Sequence, residues 1–164
     1  TCSDCHGSDV TSDPKGPHGS AAQYMLKGPR RYWPKNAANE PWTLADVEKN
    51  TNSWQSNLFC VNCHPLYSGG RWLNKAHDAH AGRTVAGAPV KCIVCHTVVP
   101  HGARRSRLIG YASEPAPYNY SGAGAYDRLV LEGFRKASSP TGYAKSNCNS
   151  KATGCHTGSG TYDP

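Results

Sequence analysis

Three times in this chain a pair of cysteines two residues apart is followed at once by a histidine: Cys2-Ser3-Asp4-Cys5-His6, Cys60-Val61-Asn62-Cys63-His64 and Cys92-Ile93-Val94-Cys95-His96. Such a pair suits zinc, redox disulfides and haem attachment alike, and the histidine directly after it points to haem. Two thiols at that spacing can add to the two vinyl groups on one porphyrin edge, forming thioethers. The next side chain then lies beneath the ring and offers a nitrogen to iron. Zinc ribbons use cysteine pairs too, but have no need of a histidine after each one. Nothing else in the sequence constrains the fold as strongly.

A fourth Cys-His step, Cys155-His156, has its partner Cys148 seven positions upstream. Six intervening residues stand where two are usual. A longer loop can bulge and still bring both sulfurs to the vinyls, and Gly154 permits the bend. The alternative is a Cys148–Cys155 disulfide with His156 idle. Because the other six cysteines sit in haem motifs, the haem reading is preferred. The expected cofactors are therefore four haem c, held by Cys2, Cys5, Cys60, Cys63, Cys92, Cys95, Cys148 and Cys155, with His6, His64, His96 and His156 as proximal ligands.

Composition then falls into place. Leu, Ile, Val and Phe are 21 of 164 residues, below the roughly 20% at which a chain stops looking able to bury its own core. An ordinary sandwich, barrel or helix bundle is excluded unless something other than side chains fills the middle, and porphyrin faces would supply that apolar surface. The formal charge is +7. Its basic residues are scattered, the densest run being Arg104-Arg105-Ser106-Arg107, so nucleic acid is not the expected partner. Four haems would carry eight propionates, bringing the oxidised protein to about +3 and the reduced one to about −1. No apolar run reaches the ~18 residues of a membrane span. The chain opens at Thr1 beside Cys2 and reads as a processed product.

Four histidines remain for the far side of the irons: His18, His77, His80 and His101. That matches bis-histidine ligation throughout. His18 and His101 lie among Gly and Pro residues that hold an imidazole still and let a flat ring approach. His77 and His80 fall on a helix expected over 71–81, ending at Gly82. Positions three apart share one helical face, so the two cannot serve one iron from one side, and they are expected to reach two neighbouring haems. His101 follows His96 by five residues and caps a neighbouring haem more easily than its own. Met25, the only methionine, is a possible ligand, although packing is the more ordinary use.

The expected architecture is a single tetrahaem domain over 1–164, mostly irregular loop with a few short α-helices wrapped around four stacked haems and little or no β-sheet. Helices are expected from Pro41 to Asn50 and from Tyr126 to Lys136. Thr84–Val90 reads as a linker, and Gly110–Ala125 as loop. Iron with two histidine ligands has no open position, which favours electron transfer over catalysis.

The chain resembles multihaem c-type cytochromes, in particular the cell-surface nanowire cytochromes of metal-reducing bacteria. The similarity rests on Cys2-Ser3-Asp4-Cys5-His6-Gly7-Ser8 with Asp13-Pro14-Lys15-Gly16-Pro17-His18-Gly19-Ser20, and on Cys92-Ile93-Val94-Cys95-His96 with Val99-Pro100-His101-Gly102. It covers roughly a third of the chain, and the long Cys148–Cys155 spacing departs from the simple pattern. The resemblance implies an extracellular or cell-surface filament of identical subunits with a continuous haem chain. His18 is then a candidate ligand for a haem of the adjacent subunit. Redox partner cytochromes and an extracellular acceptor are also implied. A discrete periplasmic tetrahaem shuttle is the alternative, and a multihaem reductase, which needs an iron lacking its sixth ligand, a more distant one.

Overall fold

The computed structural model describes residues 2–8, 12, 25–27, 32–36, 38–43, 59, 75–80, 83–85, 87–139, 142–158 and 162. Two short helices, α1 (Cys2–Cys5) and α2 (Lys75–His80), lie among them, together with 3₁₀ turns at Cys92–Val94, Ser106–Leu108 and Lys145–Asn147. The described residues also form two antiparallel sheets of two strands each: β1 (Thr84–Val85) with β2 (Ala88–Pro89), and β3 (Gly133–Phe134) with β4 (Cys148–Asn149). The remainder is turn and loop. Among the described residues no helix is long and apolar enough to cross a membrane.

The expected helix over Tyr126–Lys136 is not formed. In this segment Leu129, Val130, Leu131 and Phe134 are all buried, while Arg128, Glu132, Arg135 and Lys136 are exposed. Its backbone groups find partners elsewhere. Val130 N–H donates to Val94 O at 3.0 Å, Glu132 N–H to Asn149 O at 2.8 Å and Arg135 N–H to Asn147 O at 2.8 Å, while Leu131 O accepts from Ala112 N–H at 2.7 Å. Long-range pairing overrides local periodicity here. Nor does Pro41 open a helix: it bridges Lys35, and Thr43 bridges Lys91, while 44–50 lie outside the described residues. The expected linker after α2 is a hairpin, with Val85 opposite Ala88 and Gly87 at φ 82, a left-handed conformation that suits glycine. Among the described residues sheet is confined to these two short pairs, in keeping with the expectation of little or no sheet.

One apolar cluster, Ile109, Tyr111, Leu131, Phe134 and Tyr143, receives Cys95 and Cys148 against its flank. The cysteines of the third and fourth motifs therefore rest on the same small core. Two buried polar side chains beside it are hydrogen-bonded: Asn147 accepts from Ala144 N–H and donates to Arg135 O, each at 2.9 Å, and Ser150 donates to Val130 O at 2.6 Å. Arg105, in the basic run, lies 3.5 Å over the Tyr111 ring and pairs with Glu114. Arg107 donates to the Tyr143 hydroxyl. Two of the three arginines in that run thus anchor this core.

Lys91, next to the third motif, forms an ion pair with buried Asp127. Burial raises the Asp127 carboxyl, but hydrogen bonds from Lys91 and the Gly124 N–H, with the charges of Lys91 and Lys35, outweigh it and hold the group below its ordinary value. A depressed carboxylate stabilises the fold above its unfolded pKa of about 3.9, and that contribution is lost as pH falls through the folded value. Asp127→Asn is expected to cost about 1–3 kcal/mol at pH 7, and the gap from the parent should close below about pH 4. Denaturant titrations of both proteins across pH would show it. A gap that stays constant with pH would dismiss the charge as its source.

Candidate cofactor site

The first and third motifs are built alike. His6 N–H bonds to Cys2 O at 2.9 Å, and His96 N–H bonds to Cys92 O at 3.0 Å. Each bond closes a single turn, in which positions i, i+3 and i+4 share a face. Both cysteines and the histidine are thereby brought to one side. A second segment then clamps each turn. Gly7 N–H donates to Met25 O and Lys27 N–H to Cys5 O, both at 2.7 Å; equivalently, Thr97 N–H donates to Leu108 O at 2.8 Å and Gly110 N–H to Cys95 O at 3.0 Å. Both clamps are led by a residue in the left-handed region, Met25 at φ 55 and Leu108 at φ 58. Met25 thus serves the first motif through its backbone.

The six described histidines fall into three ring pairs. His6 faces His101 with ring centres 6.1 Å apart, His96 faces His77 at 6.2 Å, and His156 faces His80 at 6.1 Å. Each pair joins a histidine that follows a cysteine to one that does not. Ordinary aromatic contacts span about 4.5–7 Å, and two hydrogen-bonded imidazoles would have centres about 5.2 Å apart. Two imidazoles on opposite faces of one metal, each with a metal–nitrogen bond of about 2.0–2.1 Å, place their centres about 6.3 Å apart, given ring bonds of about 1.33 Å. All three separations fall just inside that last value.

Among the described residues no group of three or more His, Cys, Asp or Glu side chains is arranged to hold a metal ion. Zinc held by protein alone takes about four ligands in a structural site and three in a catalytic one. A metal whose equatorial plane is filled by a macrocycle needs only two, one on each face, and two is what each pair supplies. The donor set therefore fits a covalently attached haem at the first, third and fourth motifs.

Local electrostatics suit ligation. Nδ1 of His96 lies 2.9 Å from the Arg107 carbonyl oxygen. That oxygen can only accept, so Nδ1 carries the proton and Nε2 is left with its lone pair. Arg107 reaches this position with φ 61. Burial, then the neighbouring His77, pushes the His96 imidazole down to about 4, against a smaller upward effect of the Arg107 bond. The ring is therefore neutral at pH 7, as a ligand must be. Burial, His80 and Lys145 lower His156 as well. The Cys95 thiol is pushed up to about 12 by burial, then by Cys148, Cys155 and Cys92, and burial pushes Cys148 up to about 11. No disulfide joins the six described cysteines, and Cys148 and Cys155 are not linked to each other. A thioether, having no proton to lose, suits the same buried setting.

His77 and His80 sit on α2 and face different partners, as their spacing predicts, and His101 faces His6 rather than His96. Cys60, Cys63, His64 and His18 lie outside the described residues. The Arg107 carbonyl and the clamps at Met25–Lys27 and Leu108–Gly110 had no signal in the sequence: they act through backbone, and neither Met nor Leu advertises a left-handed turn. A cavity of about 250 Å³ between Thr97, Gly102 and Tyr118 is lined by no cysteine or histidine and is not part of the site. No protein-family model, no curated protein and no solved structure matches the chain.

Proposed function

We propose that this chain is a tetrahaem c-type cytochrome that carries electrons, with the polypeptide as a thin wrapping around four covalently held haem c groups. The observation that carries this reading is the set of three histidine pairs at one separation, each containing a Cys-His histidine. When bound, haem supplies a one-electron ferric/ferrous couple. Holding a bound haem between them, the paired imidazoles would leave no position for a substrate, which would favour electron transfer with no bond made or broken. Histidine at both positions also lowers the potential relative to His/Met ligation. The cysteines fix each ring edge, Arg107 orients His96, and the excess Lys and Arg offset the propionates. The role is that of a carrier and not of an enzyme.

On its resemblance to nanowire cytochromes, the assembly we propose is an extracellular filament of identical subunits passing electrons to an outside acceptor. His18 is the residue assigned to a haem of the adjacent subunit. Intact mass of the mature protein should show four haem adducts, with a Soret band, a low-spin ferric spectrum and negligible carbon monoxide binding. Absence of covalent haem overturns the reading, and three adducts remove the assignment at Cys148 and Cys155. Negative-stain microscopy should show fibres; compact particles instead would leave the discrete periplasmic shuttle.

A further inference from the structure

We propose that three of the four sites stand in the order first, third, fourth, with the third motif in the middle, an inference that rests on the haem reading above. Two bridging elements set this order. Helix α2 carries His77, which faces His96 of the third motif, and His80, which faces His156 of the fourth. Residues three apart on a helix have Cβ atoms about 5–6 Å apart, so the third and fourth irons are ligated from adjacent points on one rigid turn. The loop after His96 carries His101, which faces His6 of the first motif. Five residues of chain span at most about 18 Å, and this tether ties the first site to the third. No equivalent tether joins the first site to the fourth among the described residues.

Two further observations agree with a central third site. Cys95 and Cys148 pack against one apolar cluster, which puts attachment edges of the third and fourth sites side by side. At the first site Cys2 and His101 are both exposed, whereas Ile93 and Val94, between the cysteines of the third, are 1% and 4% exposed. The spatial order of these three sites therefore follows their order in the sequence, whereas the histidines that face them, His101, His77 and His80, do not. The fourth motif comes last in the chain, yet α2 places His80, which faces His156, some 76 residues before it.

Counting irons that bind carbon monoxide in the ferrous protein tests the pairing without any activity assay. His77→Ala, His80→Ala and His101→Ala should each expose one iron. In a His156→Ala background, adding His80→Ala should expose no further iron, because both residues serve the same site. Adding His77→Ala to that background should expose one more. The contrast holds whether His156→Ala retains its haem through the thioethers or loses it, and Cys148→Ser with Cys155→Ser provides the same background by a second route. The matching contrasts are His101→Ala in His6→Ala and His77→Ala in His96→Ala. A further iron exposed by His80→Ala in the His156→Ala protein would overturn the order. Failure of the underlying haem reading is separately visible, as a parent protein with no covalent haem mass.

Discussion

Trp42→Ala is expected to destabilise the protein by about 3–5 kcal/mol, the range for emptying a buried tryptophan site. Trp42 is 1% exposed, and its backbone stitches two segments together. Its N–H reaches Pro34 O at 3.5 Å, and its carbonyl accepts from Cys92 N–H at 2.9 Å. Bridges at Lys35–Pro41 and Thr43–Lys91 flank it on both sides. The Trp42 backbone is therefore tied to the start of the third motif. Small domains hold only about 5–15 kcal/mol in total, and this chain has few large apolar side chains to compensate. Tyr32→Ala, at a residue 37% exposed, should stay within about 0.5 kcal/mol of the parent. Denaturant midpoints of the haem-loaded proteins, followed by far-ultraviolet circular dichroism, compare the two. Equal midpoints would mean that this tryptophan does not hold the third motif in place.

The site was legible in the sequence wherever chemistry demands a residue type at a fixed spacing. Cysteine three positions before cysteine, and histidine directly after, describe a single turn, and both described motifs of this kind form one. The three-residue step from His77 to His80 implies reach to two neighbouring haems, and the two rings face two different histidines. Which partners could not be read, since the facing of His77 to His96 and His80 to His156 depends on how distant segments return. Fold prediction failed where tertiary pairing decides. Leu129 to Phe134 has apolar residues that can be drawn on a helical face, yet their backbone pairs with Val94, Ala112, Asn147 and Asn149. Pro41 is equally compatible with a helix start and a bridge. Nothing local distinguishes these outcomes where the described regular elements are two to six residues long.

Gly158→Ala should disable the fourth site selectively. A Cβ at Gly158 would overlap the Cys148 carbonyl oxygen and the Tyr162 hydroxyl. The first of these is backbone and belongs to β4, whose pairing with β3 fixes Cys148 opposite Phe134. The tyrosine has no room to retreat either, since a Cβ at Gly133 would already stand 2.5 Å from Tyr162 Cγ. Relief must therefore come from moving Cys148. Overpacking alone costs about 1–3 kcal/mol, and more where backbone must shift. A displaced Cys148 changes the position of one proposed attachment point, so on the tetrahaem reading intact mass should show a large three-haem population where the parent would have four. Gly142→Ala is the comparison, because its Cβ would meet Ser139 at an ordinary 3.4 Å; it should keep four haems and its stability. A Gly158→Ala protein with four haems and an unchanged denaturation midpoint would show that the Cys148 strand tolerates displacement. The close packing of Gly133, Tyr162 and Gly158 would then have no part in holding the attachment point.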